Sequence, residues 1–507
     1  MRTKIRILKD VSRYLTSSYV SQGIDMFTAV LSRRFLGPSL MGIWAFCQVL
    51  INYAKYSALG ASDAAVREVP YCLGKGDRRK AEEIQNAVFT MTTLNAVLLG
   101  IAVMISAAVF RTRFSREFFW GLVVVGGVII LQRIHNLLIV FLRAHKDFPL
   151  ISKQIVLSSA VNCFLVFFLA SKFQLYGYFG AVLLSYLFTI VYVQASRRFP
   201  LRYSLNWKVL KPVMELGLPL LLSGILTTFF FSIDKLAISH WLGLHSLGVY
   251  TLALMAHSYL NSMPNFIGMV LFPYFQERYG REESIEGMTN YVLTPMVILA
   301  GLMPIPIGSI WVCAPLFTRM VLPKFMEGVP ALRILLFGTF FLALFQQSYH
   351  FLITVKKLRP LLVILAAVSG LSVALNLGFI RLGWGINGVA LATSLSFFAY
   401  FIFLFLTVGL VYINRQSALR VLFQILFLFV YFTLILLALD RWVVWPGALW
   451  GVTLTQMVFY LVAMVPVVLW VHKATELARV MKSALARLPS RKVIAQEAET
   501  LGSEFRG

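Results

Sequence analysis

The sequence predicts an all-α polytopic membrane protein. Of its 507 residues, 59% are hydrophobic and only 13% are charged, far fewer than the roughly one quarter of a soluble domain. Apolar stretches of about 20 residues recur along the chain, each long enough to cross about 30 Å of hydrocarbon as a helix. Runs such as 123–140 and 397–412 are too long and too uniformly apolar to be strands of a membrane barrel.

The apolar stretches predict about fourteen transmembrane helices. They are residues 14–32, 39–59, 86–109, 118–142, 150–171, 175–195, 213–238, 246–273, 289–314, 330–355, 359–380, 386–412, 419–439 and 446–471. With a cytoplasmic N-terminus, most Lys and Arg residues fall in loops on the cytoplasmic side, as the positive-inside rule requires. This bias predicts an even number of spans and two cytoplasmic termini.

The net charge of +25 is explained by these loops, so no nucleic-acid partner is expected. Basic amphipathic segments at 1–15 and 473–488 favour contact with anionic lipid, although a solvated positive flank explains each equally well. The four cysteines are far apart and form no zinc-binding or disulfide pattern. We therefore expect no metal and no other cofactor.

An internal repeat predicts how the helices are arranged. The segment 36–44, with Leu-Gly followed by Gly-Ile-Trp, recurs at 242–250, and the segment 176–181 recurs at 384–389. Two matches in one order at nearly one offset predict two pseudosymmetric six-helix lobes around a central cavity, plus two extra C-terminal helices. The expected domains are 1–212 for the N-lobe, 213–412 for the C-lobe, 413–472 for spans thirteen and fourteen, and 473–507 for an amphipathic helix and disordered tail.

The sequence resembles the polysaccharide-exporter branch of the multidrug/oligosaccharidyl-lipid/polysaccharide (MOP) superfamily in four features. They are the repeated Leu-Gly…Gly segment at 36–44 and 242–250, which we call the glycine corner, the segments 59–70 and 232–235, and the Gly385-x-x-Gly388 pattern. Wzx-type O-antigen flippases belong to this branch, and the likeness covers roughly residues 10–412. The resemblance implies a transporter of the bacterial or archaeal plasma (inner) membrane. It would move an undecaprenyl-diphosphate-linked oligosaccharide to the outer leaflet by alternating access, and we expect it to act as a monomer.

Three other functions stay open. Fourteen spans are also typical of lipid II (peptidoglycan precursor) flippases of the same superfamily. A multidrug/cation antiporter should favour an acidic cavity, whereas the charge inside these spans is mainly basic. A polytopic glycan ligase or glycosyltransferase usually needs a large outer loop or acidic catalytic residues there, and the predicted outer loops are short. The chain has no GxxxxGK[ST] motif, and we expect it not to be an enzyme.

Ionisable residues inside the spans are the candidate site residues, because a charge at the bilayer centre costs at least about 2.5 kcal/mol. The expected cationic cavity, which would bind the diphosphate, is formed by Arg34, Lys55, Arg133, Lys235 and Arg333. Three further residues are candidates for ion coupling or a structural ion pair: Asp25, Asp234 and His257. Snorkelling to a membrane surface is the alternative for Lys55, Lys235 and Arg333, and simple packing is the alternative for His257.

Overall fold

A computed structural model describes residues 2–197, 199, 202–282, 289–355, 357–412, 414–442 and 449–475. The description ends at Thr475, so nearly all of the predicted C-terminal amphipathic helix and disordered tail (473–507) lies outside the described residues. No strand occurs in the described part of the chain. The α-helices are α1 (Arg2–Ala54), α2 (Ala61–Gly74), α3 (Arg78–Val109), α4 (Arg116–Ala144), α5 (Phe148–Leu165), α6 (Ser171–Ser196), α7 (Trp207–Phe230), α8 (Ile233–Ala237), α9 (Gly243–Glu282), α10 (Thr289–Leu302), α11 (Pro304–Val321), α12 (Val329–Thr354), α13 (Leu358–Arg381), α14 (Gly385–Val411), α15 (Arg415–Trp442) and α16 (Leu449–Thr475).

Each predicted span overlaps one or two of these helices, and the all-α polytopic fold class is confirmed. Within the described residues, ten helical elements are long and apolar enough to cross a bilayer. An eleventh candidate is the pair Leu221–Phe230 and Ile233–Pro264, which is bent by 53°. Two of the ten elements contain two predicted spans each, separated by the non-helical residues Gly37 and Gln174.

Helix α2 occupies a segment that the sequence predicts as a loop. It has 14 residues, fewer than the roughly 20 that a perpendicular span needs, and it packs against α3, α4 and α7. Its buried face is made of small apolar residues at helical spacing: Ala61, Ala64, Ala65, Val69 and Cys72. The hydropathy pattern missed this helix because so short an apolar face does not raise a span-length average.

Equivalent corners interrupt the two repeats. Gly37 has φ 69° and ψ 177°, and Gly243, at the matching repeat position, has φ 85° and ψ 167°. Glycine adopts such positive φ values without the steric cost that a Cβ imposes. Pro38 follows the first corner and cannot donate a backbone hydrogen bond to the preceding turn. The repeated Leu-Gly pair thus ends one helical segment and starts the next in both halves.

The two corners also pack against each other. A Cβ at Gly42 would collide with the carbonyl oxygen of Leu244, and a Cβ at Gly248 would collide with the carbonyl oxygen of Pro38. The two contacts are the same contact with the halves exchanged, which is the signature of a two-fold relation. The additional helices α15 and α16 pack against α10 and α11. The domain boundaries at 212 and 412 stay predictions.

Candidate functional site

A cavity of about 440 Å³ lies between the two halves, with walls from α1, α6, α7, α8, α9, α12 and α14. Its polar lining residues are Ser32, Arg33, Gln48, Asn52, Asp234, Lys235, Thr251, His257, Ser258 and Thr393. Its aromatic lining residues are Trp44, Tyr178, Phe230, Phe231, Tyr259 and Phe397. A concave, largely apolar pocket with a few convergent polar groups is the usual form of a small-molecule site.

Arg33 is the cation on the N-terminal side of the cavity. It is only 6% exposed. Its Nη1 donates to the carbonyl oxygen of Ala29 at 2.9 Å, and its Nη2 donates to that of Thr251, on the opposite half, at 2.8 Å. Its buried Nε has no hydrogen-bond partner among the described residues. The guanidinium is therefore held by neutral carbonyl groups, and no carboxylate of the described residues forms an ion pair with it.

Lys235 is the cation on the C-terminal side, and it forms an ion pair. Its Nζ lies 3.1 Å from Asp234 Oδ1 and donates to the carbonyl oxygen of Phe231 at 2.5 Å. The break between α7 and α8 frees this carbonyl, since the last carbonyls of a helix lack intrahelical partners. The backbone N–H of Lys235 also donates to Asp234 Oδ1, at 2.8 Å. The pair thus lies at a helix break that faces the cavity.

His257 lies in the same wall, on α9. Its Nδ1 is 2.9 Å from Thr339 Oγ1, and its ring stacks on Phe397 with centroids 5.4 Å apart. The Thr339 hydroxyl donates to the carbonyl oxygen of Leu335 at 2.9 Å, so it accepts from His257. This assigns the hydrogen to Nδ1 and leaves Nε2 available for another contact.

Arg34 and Lys55 lie outside the cavity lining. Arg34 is exposed and lines a separate pocket of about 220 Å³ together with Arg33 and Lys324. Lys55 is exposed, and its ammonium lies 4.8 Å from the ring centroid of Tyr56. Successive residues of a helix point about 100° apart, so the rotation of α1 that turns Arg33 toward the cavity turns Arg34 away from it.

Arg133 and Arg333 also lie elsewhere. Arg133 is buried, and its Nη2 donates to the carbonyl oxygen of Ala54 at the end of α1, at 3.1 Å. Arg333 pairs with Asp440 at 3.1 Å and lies 3.8 Å from the ring centroid of Trp311. Both arginines therefore connect helices, α4 to α1 in one case and α12 to α15 in the other.

Asp25 does not line the cavity either. It accepts a hydrogen bond from Ser21 at 3.3 Å, and Ser21 in turn lies 2.6 Å from Ser159 on α5. The predicted residues that the structure does bring together at the cavity are Asp234, Lys235 and His257.

The sequence prediction missed Arg33, Gln48 and Asn52. Gln48 and Asn52 are one helical turn apart and are accessible from the cavity. Two amides at this spacing inside an apolar span are a signal that could have identified them. For Arg33 no such signal exists, because either member of the Arg33-Arg34 pair could face inward.

Residues 7–278 match the model of a family described as polysaccharide biosynthesis protein. No curated protein matches the chain. Among solved structures, the lipid II flippase MurJ in an inward closed conformation is similar over 91% of this chain and 99% of its own, with 13% identity and a TM-score of 0.67. An inward-facing multidrug resistance MATE family transporter of the MOP superfamily is similar over 81% of this chain and 98% of its own, with 16% identity and a TM-score of 0.63.

A third similar structure is a MOP superfamily transporter from Pyrococcus furiosus, described as having a binding pocket of reverse polarity. It covers 83% of this chain and 96% of its own, with 16% identity and a TM-score of 0.55. At these identities the three similarities show that the folds are alike, and function has to be argued from the site.

Proposed function

We propose that this chain, which belongs to the polysaccharide biosynthesis protein family, moves an undecaprenyl-diphosphate-linked oligosaccharide from the cytoplasmic to the outer leaflet by alternating access. The family and the shared fold make it a MOP-type membrane transporter. The proposal includes the specific cargo and a location in the plasma (inner) membrane with both termini in the cytoplasm. It also includes contact of the basic termini with anionic lipid, action as a monomer and the absence of catalysis.

The observation that carries the proposal is the uncompensated guanidinium of Arg33 in the wall of the cavity. A diphosphate presents several anionic oxygens, and arginine offers a planar fork of donors that matches them. Lys235 adds a second cation from the opposite half. A head group bound between these residues would contact both halves, which is the position where alternating access acts on a ligand.

The uncharged part of the lining suits a sugar. The amide groups of Gln48 and Asn52 and the hydroxyl of Ser258, all on residues exposed in the cavity, can donate to or accept from sugar hydroxyls. The partly exposed rings of Phe231 and Tyr259 offer apolar surfaces against which the C–H face of a sugar ring can pack. The cavity thus combines groups for a charged diphosphate with groups for a neutral glycan.

The second candidate function is lipid II transport. It is favoured by the similarity to MurJ over 91% of this chain, compared with 81% for the inward-facing MATE family transporter. A cation antiporter fits less well, because Arg33 and Lys235 outnumber Asp234 among the charged lining residues. The two flippase functions share a diphosphate head group and differ in what is attached to it.

Deletion of the gene tests the proposal and separates the two flippase functions. We expect lipid-linked oligosaccharide to accumulate on the cytoplasmic leaflet and surface polysaccharide to be lost. Expression of the wild-type chain or of Arg34→Gln should reverse both effects, whereas Arg33→Gln at the same membrane level should reverse neither. Accumulation of lipid II instead would favour the second function, and accumulation of neither lipid would contradict both.

A further inference from the structure

The two members of the Asp234–Lys235 ion pair differ in their access to the cavity. About a quarter of the Lys235 side-chain surface is exposed (24%), whereas only 7% of the Asp234 side-chain surface is. Asp234 is the only carboxylate among the described residues that line the cavity. An anion that enters the cavity therefore meets the ammonium group first, with the carboxylate behind it.

The hydrogen bonds of the pair allow an exchange of partners. The ammonium has three N–H donors, and two of them serve Phe231 and Asp234. The third is available to a ligand, and a multiply charged oxyanion competes with the single charge of Asp234 for the ammonium. If Nζ moves to the ligand, Asp234 keeps the bond from the backbone N–H of Lys235 and its side-chain contact with Tyr250, and neither partner carries a countercharge.

A buried carboxylate without a countercharge is unfavourable by several kcal/mol and is relieved by taking up a proton. We propose that an oxyanion bound in the cavity draws Lys235 Nζ away from Asp234, and that Asp234 then takes one proton from water, so that binding of the anionic head group is coupled to proton uptake. One ammonium–carboxylate contact is exchanged for one ammonium–oxyanion contact, and the carboxylate becomes a neutral acid. The identification of the oxyanion as a lipid-linked diphosphate rests on the proposed function.

Other ionisable groups surround the pair and must be separated from it. Helix α1 contributes Arg33 and Tyr53, and α9 contributes Tyr250 and His257. The helices α13 and α14 also pack against α8, but they bring no ionisable side chain to the described cavity lining. Arginine and tyrosine keep their protonation states around neutral pH, so His257 is the group whose titration could imitate that of Asp234.

Sulfate binding to the full-length protein in phosphatidylcholine nanodiscs tests the exchange, measured by calorimetry at several pH values. Sulfate stays fully ionised around neutral pH, so it brings no proton of its own. Because the sulfate-bound state holds one more proton than the free state, affinity should rise as the pH falls, by up to tenfold per pH unit for one proton taken up per sulfate bound. Asp234→Asn should bind sulfate with pH-independent affinity, and the control His257→Gln should retain the wild-type dependence.

The double variant Asp234→Asn, Lys235→Gln removes both charges without leaving one unpaired, and it should bind sulfate weakly at every pH. The coupling is overturned by wild-type affinity that does not change with pH, by pH dependence that persists in Asp234→Asn, or by its loss in His257→Gln. Glycan export in cells is measured separately. Export with pH-independent sulfate binding contradicts only the coupling, whereas pH-linked binding without export supports the exchange and contradicts the proposed function.

Discussion

The two walls of the cavity hold their cations in different ways. On the N-terminal side, Arg33 is bound by the carbonyl oxygens of Ala29 and Thr251. On the C-terminal side, Lys235 is bound by one carbonyl oxygen and by the carboxylate of Asp234. Each cation donates to the carbonyl four residues before it, so the local geometry is similar and the difference lies in the carboxylate.

This difference separates two tasks. Arg33 presents a full positive charge to the cavity at all times, which suits permanent attraction of an anion. The charge of Lys235 is balanced until a ligand competes with Asp234, which suits a response to the ligand. The pseudosymmetry of the fold does not extend to the chemistry, because the repeat-equivalent residues of Arg33 and Lys235 are Ser239 and Ala29.

The largest expected effect follows from breaking the ion pair on one side only. Lys235→Gln leaves the Asp234 carboxylate buried without its partner, and removal of one member of a buried pair costs about 3 kcal/mol or more. We expect a clearly lower melting temperature in detergent than for the wild type. Asp234→Asn combined with Lys235→Gln should recover most of the loss, and a double variant as unstable as Lys235→Gln would show that the charge is not the cause.

Arg33→Gln removes the unpaired cation and tests whether this wall attracts the anion. A charge-assisted hydrogen bond contributes about 1.5–3 kcal/mol, so we expect sulfate affinity to fall about tenfold to a hundredfold. The matched control is Arg34→Gln, which removes the same charge from the neighbouring residue outside the cavity and should change affinity little. Equal losses in the two variants would mean that net charge, rather than the position of Arg33, determines binding.

Substitutions at the two glycine corners test the region where the two halves of the protein are alike. Gly42→Ala and Gly248→Ala each place a methyl group against a backbone carbonyl of the other half, and overpacking of this kind costs about 1–3 kcal/mol. Because the contacts are reciprocal, we expect similar decreases in melting temperature. Gly378→Ala is the control, since its Cβ would meet nothing within 4 Å. A loss in only one of the two corner variants would show that the symmetry there is only apparent.

The smallest effect is expected at the ion pair between Arg333 and Asp440, far from the cavity. The side chains are 20% and 47% exposed, and partly exposed pairs contribute at most about 1 kcal/mol. Arg333→Gln should lower the melting temperature slightly and leave sulfate affinity unchanged. A marked loss of sulfate affinity would show that Arg333 contributes to anion binding, as the sequence analysis expects.

The sequence by itself determined the membrane class, the approximate spans and the repeat. Hydropathy and glycine spacing are local properties, and a run such as 386–412 must be a membrane helix in almost any fold of this composition. The same reasoning located Asp234, Lys235 and His257, because charge inside an apolar span is visible without coordinates. It missed α2, whose apolar face is shorter than a span.

Tertiary structure alone decided which charged residues share a cavity. The sequence assigns Arg34 to the cavity, but the rotation of α1 places Arg33 there instead, bonded to a residue 218 positions away. Arg333 looked like a free intramembrane cation until the fold brought Asp440, 107 positions away, against it. Such partners are set by how helices pack, and packing depends on contacts between distant segments that no local pattern records.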